Sequence, residues 1–264
     1  MKTGSWIKNG LMLLAIGMAF ASRSDAQQNV MITVENLQPS DGFYFTPVWL
    51  GFHDGSFDYF DAGAQASANL EALAEMGDFS GIDSDFSNAM VGQSTVLFDS
   101  DGFPNAPVFD PGNSQSTIVS LGSSERYLSF GSMIIPSNDS FFGNDNSFQF
   151  ELLDTNGQFT GNFSIDLALS DLWDAGTEVN DGLGAAFSAN GGTSSDENGV
   201  VHAGPDLSNF DQTDTAAGTT INFASASGSP VFRLTVTAVP EPGSAMLLGM
   251  FGVGALSFYR RRRC

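Results

Sequence analysis

The sequence predicts an all-β protein, an antiparallel β-sandwich or barrel with one short helix. Three observations lead there. Short runs rich in Val, Ile, Phe, Tyr and Thr recur along the chain, and several alternate apolar with polar residues, as MITVENL (31–37) does. Turn signals separate them, among them Asp101-Gly102, Pro111-Gly112 and Asn156-Gly157. Helical composition is concentrated in AGAQASANLEALAEM (62–76), rich in Ala, Leu and Glu.

In chain order, the first strand is MITVENL. YFTPVWLGFHDG (44–55) follows, and its Pro47 points to an edge or a bulge. Asp61 can N-cap a helix from Ala62 to Met76 that gathers Leu70, Leu73 and Ala74 on one face. Further strands are expected at STVLFDS (94–100), QSTIVSLG (115–122), RYLSFGSMII (126–135), SFQFELL (147–153), NFSIDLAL (162–169), TINFASA (220–226) and PVFRLTVTAV (230–239). Residues 176–219, rich in Gly, Ser and Asp, read as a long loop. No internal repeat is evident, so residues 27–238 are read as one domain, and 24 phenylalanines predict an aromatic-rich core.

Both ends read as addresses. Lys2 and Lys8 precede the short apolar run Gly10–Ala21, and Ser24-Asp25-Ala26 offers small residues for cleavage, so residues 1–26 are expected to be a removed signal peptide. At the other end, Val239-Pro240-Glu241-Pro242 leads into the apolar run Ser244–Tyr259 and then Arg260–Arg263. A helix there would be roughly 24 Å long at ~1.5 Å per residue, with its arginines held on the cytoplasmic side. Residues 239–264 resemble the PEP-CTERM sorting signal of Gram-negative bacteria. The resemblance implies recognition by an exosortase-type processing enzyme, loss of the tail, and release to the cell surface or the extracellular matrix. The precursor would then be held only transiently in the inner membrane, through this helix. A permanent C-terminal anchor is the alternative.

The ends carry seven of the nine basic residues, leaving Arg126 and Arg233 against 29 acids in residues 27–242, a net charge of −27. A chain so acidic repels nucleic acid and anionic lipid and attracts cations. Acidity also keeps an exported protein soluble. The one cysteine, Cys264, lies in the removable tail, so no disulfide can brace the domain.

Two stretches concentrate carboxylates after apolar strands. SMIIPSNDSFFGNDN (132–146) is expected to run from a strand into a loop that delivers Asp139, Asn144 and Asp145. WDAGTEVND (173–181) delivers Asp174, Glu178 and Asp181, with Gly176 allowing a sharp turn. Like charges this close are costly unless a cation sits among them. Oxygen donors from two neighbouring loops suit Ca²⁺, which takes about six to eight oxygens; scarce His and a single Cys argue against Zn²⁺ or copper. A solvated acidic loop is the plainer reading. Asp145 and Asp181 are expected to cap turns, and Trp173 to pack at the base of its loop. His53 and Asp54 are adjacent on an expected strand and so point to opposite faces, which marks His53 as structural. His202 falls in the long loop. No Gly-x-Ser-x-Gly elbow, phosphate loop or His-Glu-x-x-His stretch occurs.

Residues 33–78, RYLSFGSMIIPSNDSFFGNDN (126–146) and LWDAGTEVND (172–181) resemble the spondin domain of F-spondin and mindin and of bacterial secreted relatives. The resemblance implies a β-sandwich similar to C2 domains, with Ca²⁺ bound at one end. Its ligand pattern is an acid after Pro-Ser-x and the two acids of Asp-Ala-Gly-Thr-acid; in this chain those are Asp139, Asp174 and Glu178. The function implied is a secreted Ca²⁺-binding adhesion or matrix module that binds a surface glycan or a matrix protein, not an enzyme. The reading from a different class is a secreted hydrolase of exopolysaccharide that uses paired carboxylates.

Overall fold

A computed structural model describes residues 27–103 and 106–240. The expected signal peptide and the expected C-terminal helix lie outside the described residues. Among the described residues no helix is long and apolar enough to cross a membrane.

Two antiparallel sheets enclose the core. The first has the strand order β5-β1-β11-β8: Ser114–Leu121, Gln28–Asn36, Phe232–Ala238 and Phe163–Leu167. The second runs β10-β9-β7-β6-β3-β4: His202–Ala203, Trp173–Asp174, Ser140–Gly143, Tyr127–Ile135, Val48–His53 and Gly92–Leu97. The short β2 (Tyr44–Phe45) pairs with β6.

Alternation sets the first sheet. Val30, Ile32 and Val34 of β1 point inward, as do Phe232, Leu234 and Val236 of β11, and the register matches Val34 with Leu234 and Ile32 with Val236. Opposite them, β3 is buried at all six positions and β6 at eight of nine. Those strands are covered on both faces. One face meets the first sheet through a phenylalanine cluster in which Phe142 lies 4.3 Å from Phe232 and 5.2 Å from Phe45, ring centre to ring centre. The other face lies under two helices, α1 (Ala68–Met76) and α2 (Ser80–Ala89), in a second cluster built on Trp49, Phe57, Phe86 and Phe141. That double cover explains why VWLGFH does not alternate.

Several expectations need correction. The helix begins at Ala68, not Ala62. Ser67 caps it, its Oγ accepting the Leu70 N–H at 3.2 Å, and Gly77 closes it at φ 68°. Gly63, at φ 83°, takes the preceding chain away from the helix, and its N–H reaches Val201 O at 2.8 Å. Helix α2, SGIDSDFSNA, has poor intrinsic propensity and forms by burying Ile82 and Phe86. The described residues thus hold more than one short helix. SFQFELL (147–153) makes only isolated bridges, Tyr127 with Glu151 and Leu153 with Phe159. Within TINFASA, Asn222 caps a single helical turn, α3 (Phe223–Ala226), its Oδ1 accepting the Ser225 N–H. Pro47 sits in the break between β2 and β3, so no ladder bond is lost to it. Residues 176–219 are loop-rich but packed, burying Val201, Leu207 and Phe210.

Candidate functional site

The acidic end is assembled by two short strands. β7 starts at Ser140, directly after Asp139, and pairs with β9 so that Ser140 stands opposite Asp174. The pairing brings Asp139 and Asp174 together. Both are buried, at 0% and 6% exposure. The turn after Asp174 needs glycine: Gly176 has φ 68°, and a Cβ there would lie 2.7 Å from Val200 N and O.

The hydrogen bonds converge on the two carboxylates. Asp139 Oδ2 accepts from Thr177 N (2.8 Å), Thr177 Oγ1 (3.3 Å) and Glu178 N (3.1 Å). Asp174 Oδ1 accepts from Gly176 N at 2.8 Å. A single amide bridges the pair: Asn180 Nδ2 donates to Asp139 Oδ1 and to Asp174 Oδ2, each at 2.9 Å. Burial first, and then the charge of Asp174, push Asp139 up to about 6; the N–H donors pull the other way. Neither Lys nor Arg relieves the pair. Arg126 pairs with Glu151 and Arg233 holds Asp166 through two bonds, and these are the only Lys or Arg among the described residues. The nearest basic side chain is His202, half-exposed, with Nε2 3.7 Å from Asp174 Oδ1.

Glu178 contributes its main chain to this cluster, while its carboxylate turns elsewhere. Its Oε2 is 3.4 Å from Asn138 Nδ2. It lines a cleft of about 330 Å³ with Glu71 and Glu75 of α1 and with Asp196 and Glu197. Burial raises Glu75 there, and the charge of Glu178 adds to the rise. Among the described residues no three His, Cys, Asp or Glu side chains converge as metal ligands. The aspartates are therefore brought together, and the Glu178 carboxylate is not. The two carboxylates are hard donors; the group of Asn180 that faces them is its NH2, while its oxygen accepts from Asn138 N at 3.2 Å. The chemistry of the two carboxylates fits a hard cation at Asp139 and Asp174.

The expected loop at 132–146 is divided by β7, because SFFG pairs with β6 and β9. Asn144 and Asp145 consequently lie at the other end of that strand from Asp139. Asn144 is buried and ties β6 to β7, its Oδ1 accepting from Phe130 N at 3.1 Å. Asp145 accepts the Ala62 N–H at 2.6 Å, and Asp181 accepts that of Leu183 at 2.9 Å. Trp173 packs edge-on to Phe60, 5.3 Å between ring centres, and donates Nε1–H to Gly143 O at 3.1 Å. His53 is buried between Ser129 Oγ (2.9 Å) and Gly55 N–H (3.0 Å), with burial lowering it to about 4. Asp54 points away from it, into the turn at Ser56. Sequence reasoning missed Asn180 and His202. Asn180 lies inside the acidic stretch already singled out, and an amide oxygen is an ordinary partner for carboxylates around a hard cation. His202 carries no local signal, since only the pairing of β10 with β9 places it opposite Asp174.

Comparison with known families agrees with this architecture. The Spondin_N family model matches residues 36–200, which include Asp139, Asp174 and Asn180. The PEP-CTERM protein-sorting motif matches residues 238–263. No curated protein matches the chain. The chain therefore belongs to the Spondin_N family, as an exported, extracellular protein of the Gram-negative type whose sorting motif directs it to an exosortase-type processing enzyme.

Proposed function

We propose that the exported protein is a non-enzymatic adhesion or matrix module of the cell surface or biofilm, that it binds Ca²⁺ at Asp139 and Asp174, and that it engages a surface glycan or a matrix protein. One observation carries the reading: two buried carboxylates side by side, with no Lys or Arg to neutralise them. Such a pair is costly unless a cation or a proton joins it. Asp139 and Asp174 would hold the ion, and Glu178, four residues beyond Asp174, would reach the shell through water. When bound, Ca²⁺ supplies charge neutralisation and ties the turn after Asp174 to the start of β7. The burial of both aspartates supports binding over turnover, because a polysaccharide cannot reach either carboxylate as general acid or base.

The test is thermal unfolding of the mature protein in Ca²⁺ and in chelator, for wild type and Asp174→Asn. Ligand at about 100 times its Kd stabilises by about 2.7 kcal/mol, which is roughly 5–10 °C for a domain of this size. A rise of that order, lost in Asp174→Asn, is the expected result. No shift with excess Ca²⁺ would sink the metal assignment, and polysaccharide cleavage that disappears in Asp174→Asn would sink the non-enzymatic reading.

A further inference from the structure

On the flank of the sandwich where β8 is the outer strand of the first sheet, two clefts adjoin. The larger holds about 680 Å³ and the smaller about 330 Å³. Ser170 lines both, so the two clefts meet at this residue, and together they are called the groove. The groove size lies in the range of small-molecule and oligomer sites, ~300–1,000 Å³.

Its lining has a definite chemistry. Trp173 and Phe150, both half-buried, give it apolar surface. Around them stand hydrogen-bonding groups with capacity to spare. Among the described residues, the Gln149 amide and the Ser170 hydroxyl make no hydrogen bond within the chain, and Asp171 uses only Oδ2, on the Ala168 N–H at 2.9 Å. Asp145 likewise spends only Oδ1. The lining includes neither Lys nor Arg; Asp166 is paired with Arg233, while Asp145 and Asp171 leave it negative. An anionic ligand is repelled from such a groove. A neutral sugar chain matches it: pyranose C–H faces lie against aromatic rings, and hydroxyls pair with amide, carboxylate and serine oxygens. Alternation along β9 puts Trp173 here and Asp174 on the opposite side, so the groove is separate from the buried aspartate pair.

We propose that this groove is a binding subsite for neutral oligosaccharides, with Trp173 and Phe150 as the apolar platform and Gln149, Ser170 and Asp171 as hydroxyl partners. It deepens, and rests on, the reading of the protein as a binding module, by naming the ligand class and its place.

The test is titration of the mature protein, followed by tryptophan fluorescence and calorimetry. The probes are neutral hexasaccharides of glucose, mannose, galactose and N-acetylglucosamine, with oligogalacturonate as the anionic comparator. The expected result is that at least one neutral hexamer binds, and oligogalacturonate binds at least about tenfold more weakly. Gln149→Ala combined with Ser170→Ala should weaken binding by about tenfold or more at an unchanged Tm, because neither side chain holds the fold together. Failure of every neutral hexamer to bind overturns the proposal. So does binding undiminished in the double variant, or a preference for an extended Thr-Val hexapeptide added at the outer edge of β8 over every sugar. A wild type that keeps its Ca²⁺-dependent thermal shift while binding no sugar refutes the groove alone; loss of both refutes the binding-module reading itself.

Discussion

Asp139→Asn should change how stability depends on pH, and the size of the change follows from the site. The substitution keeps the shape of the side chain and fixes it in a neutral form. In the wild type the carboxyl moves from its ordinary 3.8 to about 6 on folding. Each pH unit is worth about 1.4 kcal/mol, so ionised Asp139 costs the folded protein about 3 kcal/mol. The unfolded chain releases this proton near 3.8, whereas the folded chain keeps it to about 6. The group's contribution to stability is therefore fully present below pH 3.8 and is lost as pH rises through 6. In chelator, the stability of Asp139→Asn relative to wild type should grow by about 2.4 kcal/mol between pH 4 and pH 7, or roughly 5–10 °C in Tm difference. Any constant offset from the new amide facing Asn180 drops out of that trend. The opposite pH dependence contributed by His53 is common to both proteins and drops out as well. Melting curves by circular dichroism across this range read the gap directly. A gap constant within about 1 kcal/mol would refute the argument that burial and Asp174 together destabilise the charged form.

The remaining expectations concern the core and the second buried titrating group. The His53 ring resonance should titrate near pH 4, and stability should be lost as pH falls from 6.5 through that value; an NMR midpoint at 6 or above would contradict its burial against Ser129 and Gly55. Phe142→Ala should cost about 3–5 kcal/mol, seen as a midpoint shift in urea, since its ring touches Phe45, Phe130 and Phe232 at the centre of the main cluster. Gly143→Ala should destabilise by about 1–3 kcal/mol, because the added Cβ would lie 2.0 Å from Tyr59 Oη and 2.8 Å from Phe130 O, disturbing the bond between those two groups. A thermal midpoint for Gly143→Ala equal to wild type would show that Tyr59 can move aside without loss.

The strands legible in the sequence were those with one covered face. MITVENL and PVFRLTVTAV alternate, and they fell within two or three residues of β1 and β11. VWLGFH was legible as a strand but not as a doubly covered one, because SGIDSDFSNA gives no sign that it will fold as the covering helix α2. Its helicity comes from Ile82 and Phe86 reaching Trp49 and Phe57, contacts distant in sequence. SFQFELL misled for the opposite reason: its composition suits a strand, but it bonds neighbours only at isolated bridges. At the site, carboxylate-bearing loops after two apolar strands were legible, but Asp139 and Asp174 were set apart from their neighbours only by the resemblance to the spondin ligand pattern; strand pairing brings these two side by side. The turn of the Glu178 carboxylate toward α1, and the approach of His202, depend on how residues 176–203 fold back, which no local pattern states.

Charge and core divide the work in this fold. With no cysteine in the domain, stability rests on aromatic packing between the sheets and beneath the helices. Its two guanidinium groups are spent on Glu151 and Asp166. Asp139 and Asp174 are left to N–H and O–H dipoles from Gly176, Thr177, Glu178 and Asn180. Those dipoles satisfy the oxygens as acceptors without supplying a full positive charge, which is why Asp139 remains displaced to about 6 despite four donors. An acceptor-rich, buried and uncompensated pair is a poor way to stabilise a domain, and under the proposed function it makes one end of it respond to the cations of its surroundings. The acidic end is therefore where the environment can alter this protein most, while the phenylalanine cluster holds the rest of the sandwich unchanged.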